Sequence, residues 1–165
     1  MRKKSLLQRT VATINRLPDF LRPRALSLAI GKVVPYVGTS RLRIEELNEE
    51  RVIASISNRR RVQNHIKGVH AAAMALLAET ASGFVVGMNL PDDKLPLIKS
   101  LKVDYKKRTK GDMRVVATLT PEQRDRIKSE ERGDVLVEVH VTDESGSEPI
   151  QCEMLWAWVP KKRTE

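Results

Sequence analysis

Apolar residues recur along the chain with two periods, and the change from one to the other divides it. Leu7, Val11 and Ile14 follow one another at spacings of four and three, the repeat of an amphipathic helix. "LPD" interrupts the pattern, which resumes over Ala25 to Val34 and is expected to stop at Pro35, where the ring and the missing N–H break a helix. Two short helices are therefore expected in the first forty residues. Beyond them, Leu42, Ile44, Val52, Ile53 and Ile56 alternate with polar residues around a charged turn in "TSRLRIEELNEERVIASISN", the signature of a strand pair. "GFVVGMNL", "LPLIKSLKVDYKKRTKGDMRVVATLT" and "GDVLVEVHVTDESGSEPIQCEMLWAWVP" are rich in Val, Ile, Leu and aromatic residues. They alternate clearly in "VLVEVHV" and "MLWAWV" and predict about four more strands. "DESGSE" reads as a turn, and "TPEQRDRIKSEER" as a short exposed helix or a long loop.

One segment departs from both patterns. "NHIKGVHAAAMALLAETASG" predicts a helix from Gly68 to Gly83, dominated by Ala, Leu and Met, with Gly83 suited to end it. It is apolar around most of its circumference, so its surroundings must bury it. The expected fold class is α+β: one long antiparallel β-sheet against a central apolar helix. One sheet cannot cover a whole helix, and a symmetric second copy is the economical cover for the other side. Residues 1–40 form a basic helical extension in this scheme, and residues 41–165 the domain proper.

A chain of 165 residues is one ordinary domain, able to bury a core without disulfides or metal. Cys152 has no internal partner, and one thiol with three scattered histidines gives no zinc-ligand spacing. A reducing cytoplasmic setting and no metal are the simplest expectation. "MRKKSLLQRTVATINRL" opens like a signal peptide, but polar residues interrupt its apolar stretch, so it is expected to belong to the mature protein. The formal net charge of +9 is uneven: residues 1–43 hold ten Lys and Arg against the single acid Asp19. Such a segment can meet phosphates, an anionic membrane surface or nucleic acid, or simply present a solvated face. Phe20, Phe84 and the close pair Trp156 and Trp158 lie far from one another, which makes nucleic acid, whose single strands need stacked rings, the least favoured partner.

The helix carries one carboxylate, Glu79, on the face shared with Ala72, Ala75, Leu76, Ser82 and Gly83. A carboxylate among apolar atoms is costly unless paired, and its pKa rises. Glu79 is therefore a site candidate; the competing reading is a structural acid bridged to a base such as Arg108 or capping a loop. His70 lies nine positions earlier, so at about 100° and 1.5 Å per residue the two point to opposite sides, roughly 13 Å apart. They cannot pair within one chain. Across a two-fold axis, the helix N-terminus of one copy, with its amides near His70 and Ala71, could face Glu79 of the other and serve a developing oxyanion. Asn64 could add a side-chain amide, or could be an ordinary turn residue, as His70 could be an ordinary buried histidine.

These residues resemble the signature of hotdog-fold acyl-CoA thioesterases of the hydroxybenzoyl-CoA and phenylacetate-pathway type. In that signature an Asn precedes a His by six residues, small residues follow the His, and an acid stands nine residues after it. Here these are Asn64, His70, Ala71 and Glu79. "LKVDYKKRTKGDMRVVATLT" resembles the family's strand, basic turn and next strand, and "GDVLVEVHVTDESGSEPI" with "MLWAWVP" its closing hairpin. The likeness spans roughly residues 42–160, and is closest to a branch described as a domain of unknown function, in which the motif reads His-Ala-Ala. The resemblance implies a hotdog fold, a homodimer with composite sites and in many relatives a dimer of dimers, acting on an acyl-CoA thioester without a further cofactor. It makes Glu79 the general base or nucleophile, the Ala71 amide the oxyanion donor, Asn64 the group orienting the carbonyl or thiol, and His70 the residue shaping the helix N-terminus. Gly68, Ala72 and Ser82 would border the substrate, and Lys106, Lys107, Arg108 and Lys110 would meet the phosphates of coenzyme A. Two departures stand out. Many relatives have Gly-Gly where Ala71 and Ala72 stand, a change that suits a protein binding acyl ligands without turnover. Relatives also place a Ser or Thr on the next strand to hold water, for which Ser100 is the candidate here.

Overall fold

The computed structural model describes residues 4–161. Residues 1–3 and 162–165, the outer ends of the two expected segments, lie outside the described residues, and Arg2 and Lys3 of the basic stretch with them. Three helices precede the sheet, one more than the periodicity predicts: α1 (Leu6–Ile14), α2 (Arg22–Val33) and α3 (Pro35–Ser40). Ser5 caps α1 through a reciprocal bond with Gln8, which satisfies two amides the helix cannot. Pro35 does not simply end a helix; it begins α3, because its fixed φ suits a first turn. The corner between α2 and α3 is so tight that a Cβ on Gly38 would lie 2.8 Å from the Gly31 carbonyl oxygen. Val11, Leu26, Ile30 and Val37 are buried in the same core as the sheet. The three helices thus pack on the body with one face each.

The strand pair is β1 (Arg43–Leu47) and β2 (Arg51–Ile56). After the central helix α4 (Ala71–Gly87) come β3 (Lys94–Tyr105), β4 (Met113–Thr118), the surface helix α5 (Pro121–Ser129), β5 (Gly133–Asp143) and β6 (Ile150–Pro160). All pairings are antiparallel, in the order β1-β2-β4-β5-β6-β3, so β1 and β3 are the edges. The sheet wraps α4, which packs on every strand from β2 to β6. This is the α+β hotdog arrangement. Val52, Ala54, Ile56, Val115, Ala117 and Met154 line its inner side and are fully or almost fully buried.

Two expectations about α4 need correction. The helix starts at Ala71, not Gly68, and runs past Gly83 to Gly87, so "GFVVGMNL" is the end of a helix and a turn, not a strand. Val85 and Val86 are completely buried, and a short apolar run with two β-branched residues reads alike as a buried strand or a buried helix. Asn89 ends the helix: its side-chain amide donates to the Val85 carbonyl at 2.9 Å and to that of Glu49 at 2.8 Å. Among the described residues no helix is long and apolar enough to cross a membrane.

Candidate functional site

The N-terminus of α4 is built by two loops that touch. In the first, the Asn64 Oδ1 accepts from the amides of Ile66 and Gly68, both at 3.1 Å, while the Asn64 amide donates to the Gly68 carbonyl at 2.9 Å. Asn64 therefore folds the loop with its oxygen, and its Nδ2 donates to nothing among the described residues. The second loop follows β3, and Thr109 joins the two by accepting the Val69 amide at 3.2 Å. A side chain at Gly68 would put a Cβ 3.0 Å from the Thr109 hydroxyl, so glycine is what permits the approach. His70 is not the buried histidine it could have been: it is exposed, stands at the N-cap, and its Nδ1 accepts the Ala72 amide at 3.0 Å. The Ala73 and Met74 amides go to the His70 carbonyl, which leaves the Ala71 amide without an acceptor among the described residues.

Between these loops lies a cavity of about 480 Å³, lined by Asn64, Gly68, Ala71, Lys107 and Arg108 of the expected site and by Asn58, Met74, Tyr105 and Thr109. Lys106 and Lys110 stand outside its lining. Lys106 pairs loosely with Asp104 at 3.9 Å, and the Lys110 amide donates to Asp143 at 2.9 Å. Tyr105 and Asn58 escape the sequence reading. The Tyr105 hydroxyl donates to the Ala71 carbonyl at 2.9 Å, pinning the first turn of α4 to the end of β3; burial, with a smaller push from Cys152, raises its pKa. Asn58 presents a buried Oδ1 without a partner among the described residues. Only the aromatic just ahead of "KKRTK" is a signal that could have suggested the first; nothing in the sequence singles out the second.

Glu79 stands apart. It lies two turns further along α4, about 12 Å from Ala71 at 1.5 Å per residue, and makes no ion pair with Arg108 or any other base among the described residues. Burial pushes its carboxyl above the ordinary value, and the neighbouring Thr80 hydroxyl, which forms no well-made hydrogen bond, offsets this only in part. Ser82 is completely buried, so its expected place beside the substrate gives way to another role. Its hydroxyl donates to the carbonyls of Ala78 and Glu79 and accepts the Trp156 indole N–H at 2.9 Å. Gly83 lies flat against the same ring, where a Cβ would come within 2.6 Å of two ring carbons.

The register of β3 shows what faces Glu79's side of the helix. Ile98 pairs with Trp156, Leu101 with Met154 and Tyr105 with Ile150, and directly opposed residues share a face of the sheet. Trp156 and Tyr105 both reach α4, so Ile98 and Leu101 face it too, with Lys99 as the extra residue of a bulge between them. Ser100 pairs with Leu155 and faces away, so it cannot hold water near Glu79. Ile98 and Leu101 are nevertheless 40% and 44% exposed. The helix leaves this apolar strip, and the outer backbone edge of the 12-residue β3, uncovered within one chain. Among the described residues no group of three His, Cys, Asp or Glu side chains is placed to hold a metal ion.

The sequence family described as a domain of unknown function (DUF4442) matches residues 22–159. The chain belongs to the DUF4442 family. The match takes in α2 and α3 and leaves α1 outside. No curated protein matches this DUF4442 chain. Among solved structures it is similar to a Pseudomonas aeruginosa protein of unknown function described as a probable thioesterase. The two share 25% identity with a TM-score of 0.74, over 88% of this chain and 97% of that one. It is also similar to a Haemophilus influenzae thioesterase, at 12% identity and a TM-score of 0.68 over 86% and 94% of the two chains. A Staphylococcus aureus thioesterase variant gives 14% identity and 0.65 over 77% and 100%. Through these likenesses the DUF4442 chain joins the hotdog proteins by fold.

Proposed function

We propose that the chain is an acyl-CoA thioesterase that works as a homodimer. The observation carrying this reading is a division within one helix. One end offers a free amide inside a polar, basic cavity; about 12 Å along, at 1.5 Å per residue, an unpaired carboxylate with a raised pKa sits among small residues beside an open apolar strip. Neither half can hydrolyse a thioester alone. Two copies paired along the β3 edges would cover that strip, remove the exposed backbone edge and bring Glu79 to the partner subunit's Ala71.

In such a site Glu79 takes a proton from water while the water oxygen adds to the thioester carbonyl carbon. The Ala71 amide receives the oxyanion. As the tetrahedral intermediate collapses, the C–S bond breaks and the proton on Glu79 passes to the departing thiolate, leaving a carboxylic acid and free coenzyme A. A raised pKa suits this use, since a base works best with a pKa close to the working pH. The Asn64 Nδ2 and the Asn58 Oδ1 suit the amides of the pantetheine arm. Lys107 and Arg108, with Lys106 and Lys110 at the rim, suit the nucleotide phosphates.

The test is thiol release from a panel of acyl-CoAs, with the oligomer measured by light scattering. Glu79→Gln is expected to lower kcat by about 10²–10⁴-fold while the protein remains a dimer. Equal rates in the two proteins, or no release from any thioester, would remove the reading. Saturable acyl-CoA binding without release would instead assign a binding protein, which the Ala71 methyl in the cavity wall favours over a Gly.

A further inference from the structure

The basic helices at the start of the chain enclose a second cavity, of about 390 Å³, that no site residue accounts for. Leu7, Val11 and Ile14 of α1 and Leu26, Ala29 and Ile30 of α2 form one wall. Phe84 and Gly87 of α4 with Leu90 and the start of β3 form the other. Its floor is closed: Val11, Leu26, Ile30 and Leu90 are at most 2% exposed. None of the buried polar atoms that lack a partner belongs to its lining. Lys94 contributes only its methylenes, since its ammonium donates to the carbonyls of Ile127 and Glu130. Polarity enters through Ser5, whose hydroxyl is occupied in capping α1, and at the rim, where Thr10 is exposed and Asp92 and Lys161 form an exposed ion pair at 3.8 Å. The size lies in the range of small-ligand sites, about 300–1,000 Å³, and the lining suits saturated hydrocarbon.

We propose that this cavity takes the tail of an aliphatic acyl group whose carboxyl end lies at Glu79, an inference that rests on the thioesterase reading. The link is α4 itself. Phe84 and Gly87 lie five and eight residues beyond Glu79, hence about 7.5 Å and 12 Å further along the axis. An extended chain advances roughly 1.3 Å per carbon, from a bond of about 1.5 Å. Phe84 and Gly87 also lie about 140° and 80° around the helix from Glu79, so with side chains reaching about 5 Å from the axis the path to either is roughly 12–14 Å and takes a tail of about nine to eleven carbons. Pro96 of the cavity lining pairs with Trp158 and so shares the inner face of β3 with Ile98 of the open strip, and Gly87 adds no side chain to the wall, where a Cβ would meet only the tip of Leu7, at 3.3 Å. The substrate class that follows is a medium-chain, unbranched acyl thioester, with α1 and α2 setting chain length.

Hydrolysis of acetyl-, hexanoyl-, decanoyl- and palmitoyl-CoA by the full chain, together with calorimetric binding of decanoate, tests this. For the unaltered protein kcat/KM should rise between six and ten carbons by up to about fourfold per methylene, the ratio corresponding to about 0.8 kcal/mol per buried CH₂. Ala29→Trp, which fills the cavity from α2, and Gly87→Leu, which fills it from α4, should each weaken decanoyl-CoA at least tenfold in KM and leave acetyl-CoA unchanged. Rates in the unaltered protein that do not depend on chain length would overturn the proposal, whatever the variants do. So would variants, folded by circular dichroism, that slow acetyl- and decanoyl-CoA alike. If no thioester is hydrolysed the thioesterase reading fails separately, and calorimetry decides the cavity. Decanoate binding that both variants abolish upholds it, and absence of binding refutes it.

Discussion

Replacing Gly83 by Ala sets two effects of opposite sign against each other, and the geometry decides between them. Alanine in a helix interior is favoured over glycine by about 1 kcal/mol. Its methyl, however, would sit 2.6 Å from Cη2 and Cζ2 of Trp156, where carbon atoms prefer about 3.5–4.0 Å. The ring must retreat by roughly 1 Å, and the 2.9 Å bond from its N–H to Ser82 resists that movement. Overpacking of this kind costs about 1–3 kcal/mol, and the strained hydrogen bond adds about 1 kcal/mol. Set against the gain in propensity, the net loss is about 1–3 kcal/mol. Melting monitored by tryptophan fluorescence, at fixed protein concentration because an oligomer's stability depends on it, should show Tm lowered by roughly 3–10 °C. Ser82→Ala should lose stability in the same range by leaving the buried indole N–H unpaired. A Gly83→Ala protein as stable as the original, with Ser82→Ala equally harmless, would refute the idea that Trp156 clamps β6 to the helix beside Glu79.

Three other outcomes follow from the site and its surroundings. Glu79→Gln should raise Tm at pH 7 while it lowers hydrolysis. With a folded-state pKa raised above 4.5, the native protein binds a proton more readily than the unfolded chain, so the unaltered protein loses stability as pH climbs from that ordinary value through the raised one. The gain from Glu79→Gln should thus vanish below pH 4.5, and a gain that persists there would mean the carboxylate is not the cause. Leu101→Glu, which puts a charge on the open strip of β3, should give a monomer in light scattering where the unaltered protein gives the proposed dimer; an unchanged mass would exclude this edge as the joint. Burial lifts the Cys152 thiol to about 11, so alkylation of the native protein should be slow at pH 8 and accelerate toward that value, whereas fast labelling at pH 8 would contradict its placement.

The strands and the central helix were legible because their periods differ and their lengths suit the fold. Leu42 to Ile56 alternates around a charged turn and forms β1 and β2. "VLVEVHV" and "MLWAWV" lie in β5 and β6. The end of α4 was not legible, since Val85 and Val86 are buried by β-strands on one side and helix neighbours on the other, and such a run has no period to read. The missing N–H makes Pro35 read as a stop, although proline also opens helices, as it does α3. At the candidate site, the spacing along the helix sets Glu79 apart from Asn64 and Ala71, and Glu79 does lie outside the cavity that those two line. What spacing could not reveal is which small residues clear space for a ligand and which for a neighbouring side chain. Ser82 and Gly83 serve Trp156, seventy-odd residues away in sequence, and only tertiary packing makes that pairing visible.

The bulge at Lys99 bears on how such chains can diverge. Ile98 and Leu101 both point inward only because one surplus residue lies between them, since an even strand would send every second side chain to the same face. Losing Lys99 would restore an even alternation in which Ser100 alone separates Ile98 from Leu101, so both would still face inward in the register they now hold with β6. A single-residue deletion at Lys99 is therefore the one the strand absorbs with no side chain changing face. Gains and losses of residues among descendants of this sequence should gather at this bulge and in the "DESGSE" turn, where Gly146 has nothing within 4 Å of its missing side chain. Elsewhere in β3 the spacing of residues should stay fixed even where their identities do not.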